Sequence, residues 1–184
     1  APAATRPALS LEGPVAVKPV LVPGAGSPER LGATITAEGV NFAVYSEAAT
    51  VIWVSIYDEL DQETARIALD GHEDHIWFGL ISNIGAGAKY GLRADGRYDP
   101  DQGYFFDPNK LLVDPYARRL DRTFVRSPRL RLNRDEAVDT APLIPKAIVL
   151  AADNKNAAPR RKTPGLFYEL NVRGYTMRHP SVQG

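Results

Sequence analysis

The chain has 184 residues, with 22 Lys+Arg balanced by 22 Asp+Glu, no Cys, and 15 each of Gly and Pro. A formal net charge of zero supplies no general field to draw it onto nucleic acid or an anionic membrane, so neither is expected as a partner, and the lack of Cys excludes disulfide scaffolds, Cys-ligated zinc, iron–sulfur clusters and thiol nucleophiles. With 44% hydrophobic residues there is material for one ordinary globular core, while no apolar run approaches the roughly 18–20 residues of a membrane span and residues 1–10 lack the basic-then-apolar order of a secretion signal; the expected location is the cytoplasm.

Residues 1–27 are rich in Ala, Pro, Val and Gly and carry five prolines, which interrupt helix and strand pairing alike and predict a tail or an edge segment. The pattern then changes. Val40–Tyr45 alternates, and Thr50–Tyr57 is a dense run of β-branched and aromatic residues; both read as strands. In the second, Ile52, Val54 and Ile56 share the face expected to be core, with Trp53, Ser55 and Tyr57 opposite. Further strands are predicted at Thr64–Leu69, His75–Ile81 and Lys89–Ala94, separated by turn residues at Asp70-Gly71, Asn83–Gly87 and Asp95-Gly96. Short strands with no helical run between them predict an all-β, immunoglobulin-like antiparallel β-sandwich, placed at 28–125.

Residues 126–163 are polar and basic and read as a linker, broken by one apolar stretch, Lys146–Ala151, that reads as a lone strand. In 164–184 a clear strand follows at Gly165–Gly174, with Leu166, Tyr168, Leu170 and Val172 on one face. One strand cannot bury both its faces, so it is expected to open a further domain absent from this chain.

Few residues point to chemistry. Gly24-Ala25-Gly26 and Gly85–Lys89 lack the full glycine spacing of phosphate-cradling loops and do not lead into a helix. Asp99–Gly103 begins like a calcium loop, but the twelfth position is Lys110 where a bidentate Glu is needed. His72 and His75 fall at a predicted hairpin tip without a third ligand, His179 is isolated, and no Gly-x-Ser-x-Gly elbow exists. Glu169 reads as a strand residue opposite the Leu and Val set. No catalytic residue, metal ligand or cofactor is therefore assigned. The aromatics Trp53, Trp77, Tyr90, Tyr98, Tyr104, Phe105, Phe106 and Tyr116 gather in and after the sandwich. Flat apolar rings stack on sugar faces, and Trp77 and Tyr98 are the first choices for such contacts.

Four blocks in order give the sequence a resemblance. Gly39-Val-Asn-Phe-Ala-Val-Tyr-Ser46 and Tyr90-Gly-Leu-Arg-Ala-Asp-Gly-Arg-Tyr-Asp-Pro100 resemble the N-terminal module of glycogen debranching enzymes and isoamylases. Asp107-Pro-Asn-Lys-Leu-Leu-Val-Asp-Pro-Tyr-Ala117 resembles a long signature of that family, and Tyr168-Glu-Leu-Asn-Val-Arg-Gly-Tyr-Thr176 resembles the strand that opens its catalytic barrel. The similarity covers residues 20–184. It departs at Asn171, where the family often has His, at Arg97 and at Gln183, where Pro is common.

The resemblance implies a sandwich of carbohydrate-binding module family 48 ahead of a (β/α)8 barrel of glycoside hydrolase family 13 that cleaves α-1,6 branch linkages. Such enzymes work by a retaining mechanism through an Asp nucleophile and a Glu acid/base on later barrel strands. No position here matches either, so this chain alone is expected to be inactive. The implied partners are α-glucans such as glycogen and limit dextrin, reached through the full-length enzyme, and the missing catalytic barrel as packing partner. The competing expectations are a stand-alone carbohydrate-binding or scaffold module and a non-binding structural domain.

Overall fold

The computed structural model describes residues 17–151, together with Glu169, Asn171, Met177, Pro180 and Ser181. The chain divides into two units, residues 1–152 and 153–184. Among the described residues of the first, eleven strands follow in order: β1 (Val20–Val22), β2 (Gly32–Ile35), β3 (Val40–Tyr45), β4 (Ala49–Tyr57), β5 (Glu63–Ala68), β6 (Gly71–Glu73), β7 (Ile76–Ser82), β8 (Lys89–Gly96), β9 (Tyr98–Asp99), β10 (Tyr104–Phe105) and β11 (Ala147–Ile148). One sheet has the order β1-β7-β3-β2, with β6 also on β7; the other has β11-β8-β4-β5; β9 and β10 form a small ribbon. Every pairing is antiparallel, as expected for an antiparallel sandwich.

Alternation builds the core. Val40, Phe42 and Val44 of β3 and Ile81 of β7 meet Ile52, Val54 and Ile56 of β4 and Tyr90, Leu92 and Ala94 of β8 in one buried cluster. The Phe42 and Tyr90 rings pack edge to face at 5.0 Å, an arrangement favoured by the ring quadrupoles. Gly39, at φ 154°, lets the chain enter β3 against the backbone of Ile81, where a Cβ would stand 2.1 Å from the carbonyl oxygen.

The other face of β4 is not solvated, contrary to a simple two-faced reading. Ser55 is fully buried and Tyr57 nearly so, because residues 107–146 fold back over this sheet. Leu111 and Ala141 pack on Tyr57 as a second small core, and Leu111 lies so close to Gly91 that a Cβ there would be 2.6 Å from its Cδ1. The centre of this layer is Arg93, 0% exposed. Its guanidinium donates to Ser55 Oγ at 3.3 Å, the Pro108 carbonyl at 3.0 Å, Tyr57 Oη at 3.4 Å, and the carboxylates of Glu63 and Asp139 at 2.9 Å each. Desolvation works to raise the Glu63 carboxyl, but Arg66 and Arg93 outweigh it and leave it at about 2. Burial pushes the Tyr57 hydroxyl up to about 12 against the pull of Arg93.

Lys146, also fully buried, closes the layer: its Nζ donates to the carbonyls of Ala141 at 2.7 Å and Ile144 at 3.0 Å, pairs with Asp61 at 2.8 Å, and sits 4.6 Å over the Tyr57 ring. Tyr90 Oη donates to Asp114 Oδ2 at 2.7 Å, tying the layer to the core strand β8.

Several expectations shift in detail. Val20–Val22 pairs with β7, and Ala147–Ile148 pairs with β8. The sheets therefore take in strands from beyond the 28–125 span, and the stretch at 146–151 is not a lone strand. The hairpin turn falls at Asp74-His75, both at positive φ, not at Asp70-Gly71. Gly71 instead lies within β6 and makes room for the Phe78 ring, which a Cβ would meet at 2.1 Å. Asp95-Gly96 likewise continues β8, and Gly96 leaves space for the Phe106 ring.

In the second unit, Glu169, Asn171, Met177, Pro180 and Ser181 are exposed. The strand expected at 165–174 otherwise lies outside the described residues, and Glu169 and Asn171 are irregular backbone. Among the described residues no helix is long and apolar enough to cross a membrane.

Candidate functional site

Beyond the end of β8 the chain makes the β9–β10 ribbon, turned by a 3-10 segment at Pro100–Gln102 and by Gly103 at φ 83°. Two further 3-10 turns, Pro128–Arg131 and Arg134–Glu136, run beside it. Arg134 fastens them down. Its Nη1 donates to the Phe106 carbonyl at 3.0 Å and pairs with Asp95 at 3.0 Å, its guanidinium lies 5.9 Å over the Tyr98 ring, and its backbone N–H donates to Tyr98 Oη at 3.4 Å. Arg97 covers Tyr104 at 4.9 Å and forms an ion pair with Asp99.

Between these segments lies a cleft with two adjoining lobes. One, of about 250 Å3, is lined by Ala94, Gly103, Phe105, Phe106, Asp107, Lys110 and Leu112. The other, of about 330 Å3, shares Phe105, Asp107 and Lys110 and adds Tyr98 and residues 130–134. Phe105 is 66% exposed, an apolar ring offered to solvent at the shared wall. Asp107 is buried. Its Oδ1 accepts from the backbone N–H of Asn109 at 2.9 Å and from Asn109 Nδ2 at 3.1 Å, which fixes the carboxylate plane. Its Oδ2 and the Lys110 Nζ are buried atoms without a hydrogen-bond partner among the described residues. Because Pro108 is held by Arg93, the cleft wall is anchored to the sandwich.

The two aromatics chosen from sequence lie in different settings. Tyr98 lines the cleft. Trp77 is on the inward face of β7, opposite Val44, half-buried against the core, with the exposed His72 ring stacked on it at 4.5 Å. It does not line the cleft. His72 and His75 belong to the β6–β7 hairpin, and among the described residues no group of three or more His, Asp or Glu side chains is placed to hold a metal. Asp107 and Lys110 stand in the signature block at 107–117 but carry no chemical pattern legible in sequence. Only the fold, by bringing 94–98, 103–112 and 130–134 together, makes them neighbours of Tyr98.

Comparison with known proteins agrees with this architecture. Residues 30–117 match the family model of carbohydrate-binding module 48 (isoamylase N-terminal domain). The chain is 36% identical over 163 residues to a glycogen debranching enzyme of Yersinia enterocolitica, covering 85% of this chain and 24% of that one. It is 37% identical over 170 residues to a glycogen debranching enzyme of Serratia proteamaculans, covering 88% and 25%. It thus spans about a quarter of the length of these curated relatives. A solved structure, the catalytic module of the glycogen-degrading pneumococcal virulence factor SpuA, is 22% identical with a TM-score of 0.47, covering 66% of this chain and 16% of that one. With the sandwich in place and its strands running through the matched span, residues 30–117 are similar to carbohydrate-binding module 48 of the isoamylase N-terminal type, and the chain is homologous to the N-terminal region of glycogen debranching enzymes.

Proposed function

We propose that this chain is the N-terminal, non-catalytic part of a glycogen debranching enzyme that hydrolyses α-1,6-glucosidic branch linkages in glycogen and related α-glucans. The observation that carries this reading is the coincidence of the matched module, 30–117, with the sandwich strands, joined to 36–37% identity with debranching enzymes across most of the chain. In this reading the sandwich contacts α-glucan and packs beside a catalytic barrel, and the nucleophile and acid/base carboxylates belong to that barrel. Tyr98 and Trp77 are proposed aromatic sugar contacts; of the two, Tyr98 has the cleft beside it. A cytoplasmic location accords with a chain that has no Cys to gain from an oxidising compartment.

A stand-alone binding module is the second reading, and one observation favours it: residues 108–111 and 139–146 pack on the outer face of the β4–β8 sheet, so Ser55, Tyr57 and Arg93 are buried within the first unit itself. A blot of the source cells with an antibody against residues 28–125 separates the two. A band several times heavier than 20.1 kDa is expected of the debranching enzyme, and a band at 20.1 kDa favours the module. The purified chain is expected to release no reducing sugar from amylopectin; measurable release contradicts the non-catalytic reading.

A further inference from the structure

We propose that the pocket between β2 and the turn at residues 114–118 binds the phosphate monoester of a small ring compound, with Arg30 and Arg118 clamping the phosphate and Tyr116 facing the ring. This site is separate from the cleft at Phe105 and does not depend on the α-glucan reading. The pocket has a volume of about 340 Å3; one wall runs from Arg30 to Ile35, and Tyr116 and Arg118 form the other.

Two local features fix these walls. Asp114 is buried; its Oδ1 accepts from the Tyr116 N–H at 2.8 Å and its Oδ2 from Tyr90 Oη at 2.7 Å, which ties the turn to the core strand β8. The Ala117 N–H closes the turn by donating to the Asp114 carbonyl at 3.0 Å. On the β2 side, Gly32 stands at φ 89°, and a Cβ there would be 2.7 Å from the Cβ of Tyr116. Glycine is therefore what lets the turn approach the strand so closely. Tyr116 is held through its backbone while its side chain stays accessible, the residue being 53% exposed.

The charges select the ligand. No carboxylate lines the pocket, and neither Arg30 nor Arg118 has an ion pair or hydrogen bond among the described residues. Asp114, the carboxylate that builds the turn, has both oxygens engaged. A concave site lined by one sign of charge focuses its field on an anion, and guanidinium forks match phosphate oxygens in pairs. A carboxylate ligand would occupy one fork, whereas a phosphate monoester has oxygens for two. Thr34 adds a hydroxyl, and β2, the last strand of its sheet, leaves one backbone edge without a strand partner among the described residues. A bare anion would leave the Tyr116 ring and the apolar surface of Leu31, Ala33 and Ile35 unused; a ring attached to the phosphate covers them. The volume lies at the low end of the roughly 300–1,000 Å3 of small-molecule sites, which suits a compact ester of this kind.

The test is a titration of the full 184-residue chain, followed by amide NMR, with glucose 6-phosphate, uridine 5′-monophosphate, glucose and inorganic phosphate. The expected result is saturable shifts in residues 31–35 and at Tyr116 and Arg118 with at least one ester, and none there with glucose. Inorganic phosphate is expected to bind at least about tenfold more weakly than the better ester, and the better ester identifies whether a sugar phosphate or a nucleotide is the source. Arg30→Gln and Arg118→Gln should each weaken ester binding about tenfold, the loss of one charge-assisted hydrogen bond. Tyr116→Leu keeps the Cβ contact with Gly32 and should weaken the ester but not inorganic phosphate. Arg126→Gln removes the same charge outside this pocket and should change affinity by less than about twofold. Unchanged spectral dispersion verifies folding of all four variants. Equal weakening by Arg126→Gln overturns the site in favour of diffuse charge attraction. Inorganic phosphate binding as tightly as either ester overturns the ring contact and with it the proposal. No saturable shift at these amides with either ester overturns the proposal outright, and none of these results bears on glucan binding.

Discussion

Replacing Arg93 by Met tests whether the layer formed by residues 107–146 is held by this one buried cation. The substitution keeps the length and apolar stem but removes all five hydrogen bonds and leaves two carboxylates without their shared partner. Breaking a buried pair from one side costs about 3–5 kcal/mol. Two features place this case near the low end: Glu63 keeps Arg66, whose Nε donates to it at 2.6 Å, and the Asp139 side chain is 55% exposed and can return to water. The orphaned Pro108 carbonyl and Ser55 hydroxyl act in the other direction. The expected loss is about 3–4 kcal/mol, which for a urea slope of about 2 kcal/mol/M lowers the unfolding midpoint by about 1.5–2 M. Hydrogen exchange of residues 108–112 and 140–146 should accelerate before that of β3 and β4. Arg93→Lys should recover little, because an ammonium cannot span the five acceptors of a planar fork. A drop below about 1 kcal/mol on Arg93→Met would refute the reasoning.

Two further consequences concern the same layer. Gly91→Ala sets a methyl group 2.6 Å from Leu111 Cδ1 and 2.8 Å from its Cγ, and overpacking of that kind costs about 1–3 kcal/mol; chemical denaturation showing no loss would contradict the close approach. Glu63 titrates at about 2 in the folded chain against 4.5 when released. Its contribution is therefore complete above pH 4.5 and is lost as the pH falls from 4.5 towards 2. Full conversion of that difference gives roughly 3 kcal/mol, which screening at a side chain 20% exposed reduces to about 1–2 kcal/mol. Urea midpoints at pH 6 and pH 3 should differ less in Glu63→Gln than in the parent chain; an unchanged difference would place the acid sensitivity elsewhere.

What the sequence disclosed and what it hid follow from the range of the interactions. Alternation is a local signal, and it located β3, β4, β5, β7 and β8 and the aliphatic core face of β4 to within a few residues. The short strands β1 and β11 lie among prolines, too brief for any period to register, and form only because β7 and β8 offer them free edges. Arg93 looks in sequence like an outward residue on an alternating strand. It is buried because Asp139, 46 positions later, returns to meet it. Asp70-Gly71 carries turn chemistry, yet its glycine answers a packing demand from Phe78.

The signature blocks were legible as a family resemblance, while their physical purpose was not. Tyr90, Gly91, Arg93 and Asp114 act by fastening the covering layer to the sandwich. The cleft is hidden for the same reason: its walls come from three segments, and neither the partnerless Asp107 oxygen nor the Lys110 ammonium has a spacing that marks it. Tyr98 is reachable from its aromatic neighbourhood, and the same ground selects Trp77, with no sign in the sequence that His72 lies across its ring.

The central claim is that this chain contacts α-glucan, and native gel electrophoresis of the 184-residue protein with and without glycogen in the gel tests it most directly. The account predicts retarded migration in the glycogen gel, relieved by soluble maltoheptaose. Mobility that is the same in both gels, relative to a non-binding standard, would contradict it and leave a domain that serves only to pack.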